Sequence, residues 1–168
     1  PLARLEREGT LEIRATVAPD DPIWEGTELR LSTPLEISGQ VQVITNGHVL
    51  VRVSLRGRMA QVCRRCLDSV GVPLEEELNL LFFPPGEDQE AEEDPGRVLP
   101  HGSVELELGE AIREEVILLH WPYAVCREDC QGLCPRCGVN LNLESCECTT
   151  ESPDPRWDAL RAVKKERD

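Results

Sequence analysis

Eight cysteines in four close pairs constrain this 168-residue chain more than any other feature. The pairs are Cys63/Cys66, Cys126/Cys130, Cys134/Cys137 and Cys146/Cys148. Two thiolates a few residues apart on a tight turn can hold one metal ion from two sides, so four pairs predict two tetrahedral all-sulfur sites and two zinc ions. The run Cys134-Pro135-Arg136-Cys137-Gly138 is the strongest local piece. Its proline and glycine suit a knuckle whose backbone amides point at metal-bound sulfur. A disulfide framework also uses even cysteine counts. Against it stand the lack of an apolar signal segment and a length beyond that of most small disulfide scaffolds.

Spacing also suggests which pairs share an ion. Cys134, Cys137, Cys146 and Cys148 lie close enough to close one local ribbon, which leaves Cys63 and Cys66 to meet Cys126 and Cys130 across the fold. The alternative joins Cys126 and Cys130 to Cys134 and Cys137, and strands Cys146 and Cys148. The first partition is the expectation.

The rest of the chain predicts an α+β fold. An antiparallel sheet is covered by one main helix and followed by a cysteine-rich, zinc-ribbon-like segment and a short terminal helix. Residues 11–17 alternate in polarity and read as a strand. Around Asn46-Gly47, a two-residue turn would put arginines on the apolar face. A three-residue loop, Thr45-Asn46-Gly47, instead aligns Leu35, Ile37, Val41 and Val43 with Val49, Val51, Val53 and Leu55. Gly47 then takes the left-handed position. The second strand runs to Cys63, and Cys66 leads into a third strand at about 70–83, so the first cysteine pair sits at a hairpin tip.

Residues 86–97 carry six carboxylates and read as a mobile acidic loop. Leu108, Ile112, Val116 and Leu119 follow helical spacing up to Pro122. Asp154-Pro155 opens a last helix with Trp157, Leu160 and Val163 on its apolar stripe. The expected organisation is a β-rich core at 1–125, a zinc-binding segment at 126–150 and a terminal helix at 151–168. No apolar run approaches the ~18 residues needed to cross a bilayer, and the expected location is cytoplasmic.

Function is constrained by charge and by what is missing. His48, His101 and His120 are not at ligand spacing to one another, so an open catalytic zinc site has no histidines to build it. Cys63-Arg64-Arg65-Cys66 joins two strands, whereas a thioredoxin-like redox pair needs a strand-loop-helix setting. The expectation is a protein without catalytic residues. A net charge of −14 opposes broad nucleic-acid binding. One local feature favours it: Arg52, Arg56 and Arg58 share a strand face leading to Arg64 and Arg65, a stripe about 40 Å long. Ion pairs with Glu75, Glu76 and Glu77 on the next strand, with Arg52 facing Glu77, would account for the strand arginines without RNA. Arg64 and Arg65 face no such carboxylate and become the best phosphate contacts. The acidic surface alternatively suits a basic protein partner.

The hairpin-tip cysteines, the helix end Glu115-Val-Ile-Leu-Leu-His-Trp-Pro122 and the run Leu133 through Asn142 followed by Cys146-Glu147-Cys148 together resemble the YceD-like family. These are the large ribosomal RNA subunit accumulation proteins. The stretch Asp154 through Leu160 is similar to that family's ending. The resemblance implies a factor that supports accumulation of large-subunit (23S-type) ribosomal RNA. Its implied partners are that RNA or a large-subunit precursor, with a basic ribosomal protein or assembly factor as the alternative. It supplies no catalytic residue.

Overall fold

A computed structural model describes residues 1–84, 96–120 and 123–148. Five strands form one sheet in the order β1 (Thr10–Val17), β2 (Leu35–Val43), β3 (Val49–Val62), β4 (Ser69–Phe83) and β5 (Arg97–Val98). The first four make an antiparallel meander, while β5 runs parallel to β4. The sheet is therefore mixed, which corrects the all-antiparallel expectation. Arg97, placed by the sequence at the end of the acidic loop, belongs to β5; residues 86–95 of that loop lie outside the described residues.

The β2–β3 hairpin forms as its polarity pattern dictates. Val43 faces Val49, Val41 faces Val51 and Ile37 faces Leu55. Ile44 N–H donates to the His48 carbonyl at 2.8 Å, which leaves Thr45, Asn46 and Gly47 as the loop. Asn46 and Gly47 both take positive φ, 62° and 75°. Their short or absent side chains make that turn inexpensive. A register shifted by one residue would put Arg52 and Arg56 into the apolar layer. At Gly39, opposite Val53, a Cβ would collide with the Arg52 carbonyl oxygen, so close approach of the two backbones requires glycine.

One face of the sheet carries the core. Leu35, Ile37, Val51, Leu55, Met59, Leu74, Leu80 and Phe82 pack there against Trp24, Leu29, Leu31 and helix α2 (Gly109–Leu118). Helix α2 buries Ala111, Ile112 and Val116, in keeping with the spacing of its apolar residues. A second helix, α1 (Leu2–Glu8), precedes β1 and corrects the single-helix expectation for this region. It is too short to persist on intrinsic propensity. Buried Leu5, the Arg4–Glu8 ion pair at 2.9 Å and the Leu2 N–H bond to the Val104 carbonyl hold it in place. The expected helix at 151–168 lies outside the described residues. Among those described, no helix is long and apolar enough to cross a membrane.

Candidate metal centres

The turn between β3 and β4 is a knuckle. Cys63 N–H donates to the Asp68 carbonyl at 2.8 Å, and Leu67 N–H donates to the Cys63 carbonyl at 2.9 Å. The chain makes the same turn again at Cys134: its N–H donates to Val139, and Gly138 N–H donates back to Cys134 at 2.9 Å. In both knuckles the residue after the second cysteine is left-handed, Gly138 at φ 75° and Leu67 at φ 63°. Leu67 adopts a conformation that costs a leucine roughly 1–2 kcal/mol, and the sulfur-directed geometry around it must hold it there.

This geometry collects sulfur atoms. The thiols of Cys63, Cys66, Cys126 and Cys130 lie within 4.8 Å of one another, as do those of Cys134, Cys137, Cys146 and Cys148. The first partition is thus the one the fold assembles. Cys63 and Cys130 sulfurs are 3.9 Å apart and those of Cys66 and Cys126 are 3.6 Å apart. All eight cysteines are free. A disulfide would bring two sulfurs to about 2.05 Å. A tetrahedron with metal–sulfur bonds of about 2.3 Å has sulfur edges of about 3.8 Å, close to the Cys63–Cys130 and Cys66–Cys126 separations.

Electrostatics point the same way. The amides of Cys66 and Arg65 aim at the Cys63 sulfur and, against burial, hold its thiol down at about 6. The Cys137 and Arg136 amides do the same for Cys134, also about 6. Cys148, hydrogen-bonded to Cys137 and partly buried, is pushed up to about 12. Four close sulfurs cannot all ionise unaided, because each thiolate repels the next. A divalent cation removes that conflict, so both donor sets fit a thiophilic metal ion.

The two tetrads are held together by residues that cysteine spacing did not single out. Gly132, at φ 75°, leaves room for the Arg65 carbonyl, from which a Cβ would lie 3.0 Å away. Leu133 N–H donates to that carbonyl at 3.0 Å. Asn140 Nδ2 donates to Asp68 Oδ2 at 3.0 Å, tying the second knuckle to the first. Asn142 Nδ2 donates to Cys130 Sγ at 3.4 Å. The signal was in plain view: two asparagines flank Leu141 at strand spacing, directly after the second knuckle.

The five arginines do not form one free stripe. Arg52 and Arg56 are exposed on the solvent face of β3. Arg58 Nη2 donates to the Gly71 carbonyl at 2.7 Å. Arg65 Nη1 donates to the carbonyls of Glu128 and Cys130, at 3.0 and 3.1 Å, and so fastens the second arm of the first tetrad. Arg64 lies over the Tyr123 ring, 5.3 Å from its centroid. Both tip arginines thus have partners within the chain, though neither partner is one of the β4 carboxylates. The anticipated Arg52–Glu77 pairing also fails: Arg52 faces Asn79, Glu77 faces Ser54, and Arg56 faces Glu75. The knuckle spans Arg64–Leu67 between paired Cys63 and Asp68, rather than turning on Arg64-Arg65 alone, and this shifts the register by two.

Fold and site together define a class: a mixed sheet whose β3–β4 hairpin tip is joined to the segment beyond α2 by one four-cysteine centre, with a second, local four-cysteine centre beside it, both able to hold metal ions. The chain belongs to the YceD family, described as large ribosomal RNA subunit accumulation proteins, which residues 51–164 match. Uncharacterized proteins of Mycobacterium tuberculosis and Mycobacterium bovis are 36% identical over 130 residues, covering 75% of this chain and 60% of their own length. A chloroplastic protein of Arabidopsis thaliana, described as a YCED homolog in large ribosomal RNA subunit accumulation, is 26% identical over 62% of this chain and 40% of its own. The matched region therefore spans less than two thirds of these relatives. No solved structure matches the chain.

Proposed function

We propose that this protein supports the accumulation of large-subunit ribosomal RNA by binding that RNA or a large-subunit precursor, with two structural zinc ions fixing its shape. The family match over residues 51–164 carries the reading. The all-sulfur donor sets favour zinc, which structural sites bind through four thiolates in this way. Ions held at Cys63/Cys66/Cys126/Cys130 and Cys134/Cys137/Cys146/Cys148 would serve folding, since every ligand position is filled by protein. Purified protein is expected to contain close to two zinc ions per chain, with only sulfur neighbours in X-ray absorption. Metal-free protein with four disulfides would refute that part.

RNA contact falls to Arg52, Arg56 and Arg64, because Arg58 and Arg65 spend hydrogen-bonding capacity on backbone carbonyls. That observation, with the net charge of −14, favours a second reading in which the protein holds a basic ribosomal protein or assembly factor without touching RNA. Binding to purified large-subunit RNA, measured beside binding to purified ribosomal proteins, separates the two. The first reading expects the RNA to bind and the second expects only the basic proteins to do so.

A further inference from the structure

Asn142 belongs by sequence to the loop between Cys137 and Cys146, inside the second tetrad's ribbon, yet its side chain serves the first tetrad. Its Oδ1 accepts from the Gln131 amide at 2.8 Å and from Arg127 Nη2 at 2.9 Å. Its Nδ2 donates to Cys130 Sγ at 3.4 Å and to Asn140 Oδ1 at 2.7 Å. Asn140 Nδ2 in turn donates to Asp68 Oδ2 at 3.0 Å.

The direction of this chain of bonds is fixed at both ends. Arg127 can only donate and an ionised Asp68 can only accept, so neither asparagine amide can be flipped without setting donor against donor or acceptor against acceptor. The N–H therefore faces the sulfur. An N–H aimed at a ligating thiolate disperses its charge and holds it in place, as hydrogen bonds to metal ligands generally do. Asn142 is itself held by the local hairpin of the second knuckle, in which Leu141 N–H donates to the Gly132 carbonyl at 2.9 Å.

We infer that Asn142 is a positioning residue that couples the two tetrads: the closed loop of the second tetrad supplies the sulfur-directed donor that completes the first. The inference rests on the metal reading proposed above. It assigns the second ion a task beyond closing its own loop, namely securing its neighbour.

The test uses the zinc-loaded full chain, a chelator challenge and alkylation of each cysteine followed by mass spectrometry. Asn142→Asp keeps acceptors for Gln131 and Arg127 but turns a carboxylate oxygen toward Cys130. It is expected to speed alkylation of Cys63, Cys66, Cys126 and Cys130 by about 10–100-fold, the usual loss of metal affinity when a hydrogen bond to a ligand is removed. Cys134, Cys137, Cys146 and Cys148 should change far less, whereas a general loosening would expose both sets together. Cys146→Ser, which opens the second ribbon, should also speed release from the first tetrad, and adding Asn142→Asp to it should then change little. If Asn142→Asp fails to fold, the Cys146→Ser comparison decides alone. First-tetrad protection at the wild-type rate in a folded Asn142→Asp or Cys146→Ser protein overturns the coupling while leaving the two-zinc reading intact. Wild-type protein that carries no metal overturns both.

Discussion

Cys63→Ser protein is expected to bind one zinc ion against the two expected of the wild type, and to unfold on the order of 10 °C lower or more. Cys126→Ser should behave alike. The first tetrad joins the β3–β4 tip to the segment beyond α2, and the Cys66–Cys126 and Cys63–Cys130 pairs are 60 and 67 residues apart. Losing it releases a long loop and leaves Cys66 and Cys130 buried with no metal to share. Cys137→Ser and Cys146→Ser open only a short ribbon outside the main apolar cluster. They should lose the other ion, lower the sheet's melting far less than Cys63→Ser does, and disorder mainly residues 131–148, with the first centre still filled but released faster to a chelator. Metal content and thermal melts of the four proteins check this. Should Cys63→Ser and Cys137→Ser empty the same site, the assembly of sulfurs described above is wrong.

The second large effect concerns RNA. Replacing Arg52, Arg56 and Arg64 together with alanine should weaken association with large-subunit RNA at every sequence tested, and lower the salt dependence by about two to three units of slope. On a chain of net charge −14, acidic repulsion elsewhere makes these few contacts count for more. The triple variant should keep both zinc ions, since none of the three side chains touches a cysteine sulfur among the described contacts. Arg65 is left out because its guanidinium holds the Glu128 and Cys130 carbonyls, and its removal would confound binding with folding. Unchanged RNA affinity and unchanged RNA levels in cells carrying the folded variant would leave the basic-protein reading as the better one.

What could be read in advance was what repeats or alternates. The polarity pattern over residues 35–55 admits one hairpin register, because a slip of one residue buries arginine. The cysteine partition followed from loop lengths, since four sulfurs within fifteen residues can close on themselves and the distant pair must then meet the remainder. The β3–β4 register was harder. It depends on how many residues a knuckle consumes, which sulfur geometry decides and side-chain polarity does not report. Helix α1 offers only Leu2 and Leu5 as an apolar signal, and packing supplies the rest. Strand β5 is two residues long, too short to show alternation. Arg65 looked like a free cation because its acceptors are main-chain carbonyls more than sixty residues away, and a carbonyl leaves no mark in a sequence. Asn140 and Asn142 were visible as residues, but their purpose needed the Asp68 and Cys130 positions.

The long separation within the first tetrad also has a consequence for birth of the chain. Strands β1 to β4 pair only with sequence neighbours, so the meander can form as it leaves the ribosome. Cys63 and Cys66 are then already set in their knuckle, but Cys126 lies 60 residues behind Cys66. At elongation rates of about 5–20 residues per second, that half-built centre waits for about 3–12 s before its other two sulfurs emerge. For those seconds each new molecule displays an open pair of thiols, with Cys63 already facing the Cys66 and Arg65 amides that favour its ionised form, where an oxidant can reach them before the other two sulfurs close the centre.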